Sequence, residues 1–288
     1  MIDLQARGRI RRRKVVNRLA EGSATAAALI AVGVLVVLVW SVLKEGIGAL
    51  DLDFFTKGPA TFGQSGGGIA PALVGSLILV AIATAFALPV GVLIAIYVSE
   101  FASARIGRPI RVVLDVLNGF PSIVIGVFVF TLLVAGNQQS GLAGSFALAI
   151  IMLPLVARAT MEVLALVPSQ LREASFALGV SKWRTVVSIV LPTAFGGILT
   201  GTTLAIARAA GETAPLLFTS SIVANYVQTD PRNALASIPV TIFTYSESPD
   251  PALHRQAWAA AFVLIAFVLV TSLTARALLD RSRRKLAR

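Results

Sequence analysis

Two arginine–glutamate pairs lie inside apolar stretches of this sequence, where charged side chains are costly. Arg158 and Glu162 are four residues apart in one stretch, and Arg208 and Glu212 have the same spacing in another. A charged group near the centre of a bilayer costs about 2.5–3.5 kcal/mol, so such groups usually face a protein interior or a wet cavity. Because guanidinium presents a flat fork of donors to a tetrahedral oxyanion, both pairs could line a route for an anion.

The same spacing also permits an intrahelical ion pair that has no part in transport. In both pairs the arginine precedes the glutamate, which is the less favourable order in an isolated helix. Alanine and glycine flank both pairs and would let neighbouring helices approach closely around a pathway. We therefore predict an anion pathway and keep the ion pair as the alternative. The predicted pathway residues are Arg158, Glu162, Arg208, Glu212 and Thr213.

Glycine and proline interrupt the apolar run beside the second pair. Gly211 gives the chain room to bend, and the ring of Pro215 removes a backbone donor. Broken helices at membrane depth are tolerated where they line a cavity. We predict that Gly211 and Pro215 form a hinge, with a plain helix end at the outer surface as the alternative.

The composition indicates that these residues belong to an integral membrane protein. Of 288 residues, 56% are hydrophobic and 14% are charged, whereas a soluble domain carries about 25% charged residues. Several apolar runs are long enough to span a bilayer as helices. The predicted fold class is therefore all-α with six transmembrane helices, the third of them broken by a turn signal at 118–121. The predicted spans are 24–43, 72–98, 112–135, 145–167, 186–210 and 257–278.

The basic residues indicate how the chain is oriented. The net charge is +11, and lysine and arginine cluster at both ends and in short loops. Cytoplasmic segments of membrane proteins carry this excess, so we predict that both termini are cytoplasmic, touch membrane lipid and bind no nucleic acid. The predicted division is a basic tail at 1–23, a permease domain at 24–279 and a second basic tail at 280–288. Cysteine is absent, which excludes disulfides and thiolate metal sites.

A polar segment at 169–192 separates two of the apolar runs. Charged residues alternate there with apolar ones, as in a short helix that lies along a membrane face. Gly179 suits the end of that helix, and Pro192 suits the first turn of the next one. We predict a cytoplasmic helix that does not cross the membrane.

The pattern Glu173-Ala174-Ser175-x3-Gly179-x9-Ile189-x-Leu191-Pro192 resembles the EAA loop of bacterial ABC importer permeases, with serine for the second alanine. The resemblance implies a type I importer permease fold in which this loop docks on an ATP-hydrolysing subunit. It assigns ATPase coupling to residues of the helix and of the turn after it. These are Glu173, Ala174, Phe176, Leu178 and Gly179.

The stretch 204–218, with its Gly-Glu-Thr-Ala-Pro at 211–215, resembles the signature of phosphate importer permeases and is closest to the PstA-type subfamily. That resemblance implies inorganic phosphate as substrate, moved across a bacterial inner membrane by alternating access. It also implies three kinds of partner: a sister permease, a dimer of ATPase subunits and an extracytoplasmic phosphate-binding protein. A permease for another oxyanion, such as sulfate or molybdate, is the alternative.

The sequence lacks the motifs of an enzyme. It has no Gly-x4-Gly-Lys-[Ser/Thr] phosphate loop, so ATP would be bound by partner subunits and the chain itself needs no cofactor. It also has no His-Glu-x-x-His motif, and its one histidine, His254, falls in a predicted external loop. An intramembrane enzyme and a membrane scaffold without transport activity are the weaker alternatives.

Overall fold

Helices form almost all of the structure, a computed structural model that describes residues 7–59, 66–222 and 224–286. The described residues contain no strand, only an isolated bridge between Pro59 and Gly67. Short π-helical turns follow α3, α5 and α8. The α-helices are α1 Arg7–Gly46, α2 Leu52–Thr56, α3 Ala70–Ile96, α4 Ala104–Gly119, α5 Ser122–Val129, α6 Gly141–Ala165, α7 Ser169–Ala177, α8 Lys182–Thr185, α9 Leu191–Ala210, α10 Ala214–Thr219, α11 Ile238–Ser246 and α12 Pro251–Leu286.

The helices confirm an all-α membrane fold and change the third predicted span. Five helical segments are long and apolar enough to cross a bilayer, and the α4–α5 pair is a sixth only if a bent pair counts as one span. That pair bends by 97° between Gly119 and Ser122. The Asn-Gly-Phe-Pro signal therefore does more than kink a span, because proline restricts both its own backbone and that of the preceding residue.

The first helix has almost no surface buried against the rest of the chain. α1 begins at Arg7, so it runs as one helix through most of the predicted 1–23 tail and the predicted first span. Only 6% of its most apolar window is buried within the chain. It packs on α12, where a Cβ added at Gly46 would fall 2.8 Å from the Trp258 carbonyl oxygen. An apolar surface of this length is left for lipid or for another chain to cover.

The core of the bundle forms where α3, α6, α9 and α12 pack together. Small and branched apolar side chains fill it, because alanine and glycine let the helices approach closely. Leu79, Leu148 and Met152 are fully buried at its centre, against Ala205 and Ala209 of α9. In this group α6 carries Arg158 and Glu162, α9 carries Arg208, and Glu212 follows the end of α9.

The contact between α6 and α9 is set by glycines of α9. A Cβ on Gly197 would fall 2.5 Å from Cγ1 of Val163. A Cβ on Gly201 would fall 2.4 Å from that of Ala159. Moving four residues forward on α9, from Gly197 to Gly201, moves four residues back on α6, from Val163 to Ala159. The two helices are therefore antiparallel, and the residue numbers of each facing pair add to 360. We call this contact the glycine seam.

Replacing Gly201 with alanine should destabilise the protein by about 1–3 kcal/mol, because the new methyl group overlaps that of Ala159. The measurement is thermal unfolding in detergent. Gly33→Ala is the matched control, since a Cβ there meets nothing within 4 Å. The double variant Gly201→Ala with Ala159→Gly moves the methyl across the seam and should recover most of the loss. Equal melting of Gly201→Ala and wild type would contradict this packing.

Pro192 lies in the first turn of α9, as expected from sequence, but α9 continues from α8 instead of starting a separate span. Lys182–Ala210 is one apolar helical segment that contains α8, a π-helical turn at Val186–Val190, and α9. Pro192 is the second residue of α9, directly after that turn. A π-helical turn changes the local hydrogen-bond pattern, which accommodates a residue that lacks a backbone donor. The predicted 169–192 segment thus holds one short surface helix and the start of a span.

Candidate functional site

The second arginine–glutamate pair forms the i,i+4 contact that the ion-pair alternative describes. Nε of Arg208, in the last turn of α9, lies 3.5 Å from Oε1 of Glu212. This contact is an ion pair without hydrogen-bond geometry, and the guanidinium of Arg208 donates no hydrogen bond to any described residue. The Glu212 side chain is 16% exposed and that of Arg208 is 47% exposed. Arg208 therefore keeps its donors available on a surface where contact of the charged side chain with lipid would cost free energy.

A break in the chain follows Arg208 directly. α9 ends at Ala210 and α10 begins at Ala214, with Pro215 in its first turn. Thr213 is the residue before α10. The predicted interruption is therefore present, but Gly211 has φ −95°, which any residue adopts. The backbone does not require glycine there, so a hinge role for Gly211 and Pro215 stays a prediction.

The turn after α9 is backed by the bent α4–α5 pair. A Cβ on Gly126 of α5 would fall 2.7 Å from Cα of Pro215. Gly126 therefore lets α5 and α10 pack with their backbones close together. Two short helices, each next to a break in the chain, thus meet beside Glu212 and Thr213.

The first pair does not form the intrahelical ion pair that was the alternative to a pathway. Nε of Arg158 lies 3.2 Å from Oδ1 of Asp115 on α4, and no ion pair joins Arg158 to Glu162 in the described residues. The arginine precedes the glutamate, the less favourable order along a helix, and a carboxylate on the neighbouring helix competes for it. The ion pair of Arg158 therefore links two helices, α6 and α4.

Arg158 and Glu162 line a polar cleft of about 300 Å³ at the end of the bundle that carries α7. The cleft lies between α6, α4, the π-helical turn after α3, and α7. Three arginines and two glutamates give it a mixed charge. Its lining residues are Ser99, Glu100, Arg111, Arg158, Met161, Glu162, Leu164, Ala165 and Arg172. We call it the inner cleft.

The two arginines lie at different depths. In the register of the glycine seam, Arg208 is level with Met152 of α6. Arg158 is six residues farther along α6, which places it about 9 Å nearer the α7 end of the bundle. The structure therefore separates the predicted pathway residues into two groups. One group is Arg208, Glu212 and Thr213, and the other is Arg158 with Glu162 in the inner cleft.

Sequence reasoning missed the acidic partners. Asp115 was overlooked although it lies in the apolar run predicted as the third span, which is the same signal that singled out Arg158. Glu100 lies at the end of α3 and binds Arg172 across 72 residues of sequence. No local spacing could have indicated that second pairing.

The predicted docking helix is α7, and its C-terminal end has a well-defined geometry. Gly179 has φ +74°, its N–H donates to the carbonyl of Phe176, and the N–H of Val180 donates to that of Ser175. These two bonds form a Schellman motif, for which glycine is the preferred residue. The Leu178 side chain is 83% exposed and that of Phe176 is 46% exposed. The helix thus presents apolar side chains outward.

The serine that departs from the EAA pattern has a structural partner. The Ser175 hydroxyl lies 2.8 Å from that of Thr185, and both residues are buried. Thr185 also donates to the carbonyl of Ser181. This network ties α7 to the start of the next span, so the docking helix and that span form one hairpin.

Comparison with known proteins identifies the family. The model for a family described as "Binding-protein-dependent transport system inner membrane component" matches residues 87–288, which includes both charged groups and the docking helix. This chain belongs to that family. The match begins within α3, so the bare α1 and the loop after it lie outside the shared segment.

Two relatives within the family match nearly the whole chain. A "Phosphate transport system permease protein PstA" from Yersinia pestis is 39% identical over 273 residues, which is 94% of this chain and 92% of the relative. A "Phosphate transport system permease protein PstA 1" from Mycobacterium tuberculosis (strain H37Rv) is 39% identical over 276 residues, covering 92% of this chain and 87% of that protein. The family resemblance read from the two motifs is confirmed.

Solved structures of ABC transporters share this fold. A bacterial alginate transporter has a TM-score of 0.63 at 14% sequence identity, with 95% of this chain and 96% of the other covered. The MetNI methionine transporter, in an inward-facing conformation, has a TM-score of 0.60 at 18% identity, covering 74% and 94%. The helical arrangement is therefore that of an ABC importer permease of this family, as the EAA loop indicated.

Proposed function

We propose that this chain is a transmembrane permease subunit of an ATP-driven importer that moves inorganic phosphate across the cytoplasmic membrane of a bacterium by alternating access. The observation that carries the proposal is the guanidinium of Arg208, which donates no hydrogen bond to the described residues and lies beside the break between α9 and α10. This arginine belongs to a chain that is 39% identical to two permeases named for phosphate transport. The subunit is not an enzyme, because hydrolysis of ATP belongs to a separate subunit.

Phosphate would bind first to Arg208, with Glu212 balancing the charge of the guanidinium while the site is empty. The fork of donors suits two oxygens of a tetrahedral anion, and Thr213 adds a hydroxyl nearby. The hinge at Gly211 and Pro215 would then let the site change its access. Arg158, with Glu162, would receive the anion in the inner cleft, about 9 Å farther in.

The exposed charges in the single chain indicate that a second permease covers this face. Arg208 is 47% exposed at membrane depth, and a charged group there usually faces protein or water. The bare α1 adds a long apolar surface that a neighbouring chain could bury. A sister permease subunit across this face would enclose the pathway between the two chains.

ATP would be hydrolysed by a dimer of partner subunits that dock on α7, through Glu173, Ala174, Phe176, Leu178 and the Gly179 turn. This assignment places α7 and both basic tails in the cytoplasm, where the tails touch anionic lipid rather than nucleic acid. An extracytoplasmic phosphate-binding protein would deliver the substrate at the opposite end. The chain itself would bind neither ATP nor another cofactor.

The test of this function is uptake of labelled phosphate in cells that lack their own high-affinity system. The cells express this chain with its neighbouring transporter subunits, with or without excess sulfate or molybdate. We expect phosphate uptake that neither competitor reduces. Uptake that sulfate or molybdate blocks would keep the fold and assign the other oxyanion as substrate.

Replacing Glu212 with glutamine should reduce the preference for phosphate over sulfate. Hydrogen phosphate carries an acidic hydrogen that sulfate lacks, and the Glu212 carboxylate can accept it, whereas an amide accepts it less strongly. Phosphate uptake is measured against increasing sulfate at matched abundance of the protein. A variant that transports less phosphate but discriminates as well as wild type would contradict this role.

A further inference from the structure

Arg172 joins three elements at the α7 end of the bundle. From α7, its Nε and Nη2 donate to Oε1 of Glu100, at 3.2 and 2.8 Å. Its Nη1 donates to the carbonyl of Val167 at 2.7 Å, and Nη2 also donates to that of Leu164 at 3.0 Å. One side chain of α7 therefore binds the π-helical turn after α3 and the C-terminal end of α6.

This set of contacts is largely buried. The Glu100 side chain is 9% exposed and that of Arg172 is 20% exposed. Separating the two charges of a buried ion pair leaves each without compensation, which is costly, so breaking this pair is unfavourable. Leu164 and Val167 are buried beside it. The arginine also donates to two carbonyl groups at the C-terminal end of α6, where the helix offers no i+4 backbone donor.

The position of Arg172 gives these contacts a consequence for the inner cleft. Arg172 and Glu100 both line the cleft that holds Arg158 and Glu162. The bond between Ser175 and Thr185 holds α7 to the following helix, so α7 moves as part of a hairpin. Movement of the docking helix is thereby passed to one wall of the cleft through Arg172.

We propose that Arg172 is the positioning residue that couples movement of α7 to the width of the inner cleft. It holds α7 to the ends of α3 and α6, so that these ends follow α7 during the ATP cycle. The proposal rests on the proposed docking of α7 on the ATPase. It assigns the coupling to a guanidinium that faces the chain interior, whereas the docking surface faces the ATPase.

The first test compares Arg172→Gln with wild type in the complete transporter, reconstituted in liposomes. We expect the number of phosphate ions moved per ATP hydrolysed to fall about tenfold, while ATP hydrolysis persists. Arg172→Lys keeps a positive charge but loses the planar set of donors of the guanidinium. Its ratio of phosphate moved to ATP hydrolysed should therefore lie between those of wild type and Arg172→Gln. Arg105→Gln, which removes an exposed arginine from α4, is the matched control and should leave the ratio unchanged.

The second test measures whether α7 and the end of α3 stay together, and it needs no substrate. Because the chain has no cysteine, spin labels can be attached at Ser103→Cys, after the π-helical turn, and Gln170→Cys, on α7. We expect one narrow distance distribution with and without a non-hydrolysable ATP analogue, and a broad one in Arg172→Gln.

An unchanged transport ratio together with a narrow label distance in Arg172→Gln would overturn the proposal. Loss of all ATPase docking in Arg172→Lys as well as Arg172→Gln would also overturn it, because the residue would then serve only to fold α7. Failure of the phosphate assignment would appear differently, as absent phosphate uptake in wild type with the label distances still as expected.

Discussion

Phosphate uptake should fall about a hundredfold when Arg208 is replaced by glutamine, because a preorganised donor of a low-dielectric site is lost. The guanidinium makes no hydrogen bond to the described residues and only a 3.5 Å ion pair with Glu212. Its removal therefore disturbs few structural contacts and leaves the anion without its charged partner. Arg208→Lys keeps the charge but loses the fork of donors, so we expect an intermediate loss.

The measurement is initial uptake of labelled phosphate, normalised to the amount of assembled transporter in the membrane. Arg232→Gln is the control, since Arg232 is exposed in the loop before α11. The ion-pair alternative makes the opposite prediction: Arg208→Gln would lower the thermal stability of the complex and leave uptake per transporter unchanged. That result would remove Arg208 from the pathway.

Replacing Gly179 with valine should uncouple hydrolysis of ATP from transport. Gly179 has φ +74°, where a residue with a β-carbon is strained by about 1–2 kcal/mol and a β-branched one by more. A Cβ there would meet nothing within 4 Å, so the effect comes from the backbone and not from crowding. The Schellman motif would open, and Leu178 would leave its place on the docking surface.

Gly179→Asn supplies the control, because asparagine tolerates the left-handed region better than other residues with a side chain. We expect Gly179→Val to retain part of its ATP hydrolysis but to lose most phosphate uptake, with Gly179→Asn close to wild type. Both rates are measured in the same liposomes. Full uptake by Gly179→Val would show that α7 is not the element that docks.

Much of the fold could be predicted because its signals are local. Apolar runs give the spans, and Gly179 gives the end of α7 through its backbone conformation alone. The π-helical turn directly before α9 could not be predicted. Proline is common in the first turn of a separate helix, so Pro192 alone does not indicate that the preceding helix continues into α9. Likewise, the turn signal before Pro121 indicates a break but not its 97° angle, which depends on the packing of α5 against α10.

The sequence identifies the charged residues within the apolar runs, but it does not identify the partners that lie on other helices. The i,i+4 spacing fits Arg208 with Glu212, where α9 ends and few other acids are near. The same spacing does not join Arg158 to Glu162, because Asp115 on another helix binds the guanidinium. Pairings across helices depend on register and rotation, which a single sequence does not contain. The roles of both groups in transport stay predictions.

The glycine seam limits how this protein can change shape. Gly197 and Gly201 bring the α6 and α9 backbones so close that neither helix can slide along the other without steric overlap. Arg158 on α6 and Arg208 on α9 are thus held at a fixed distance from each other by the packing of the two helices. An anion that passes from one to the other crosses a constant interval. Between the two arginines, the parts of this chain that a gate could use are then the bent α4–α5 pair and the short α10.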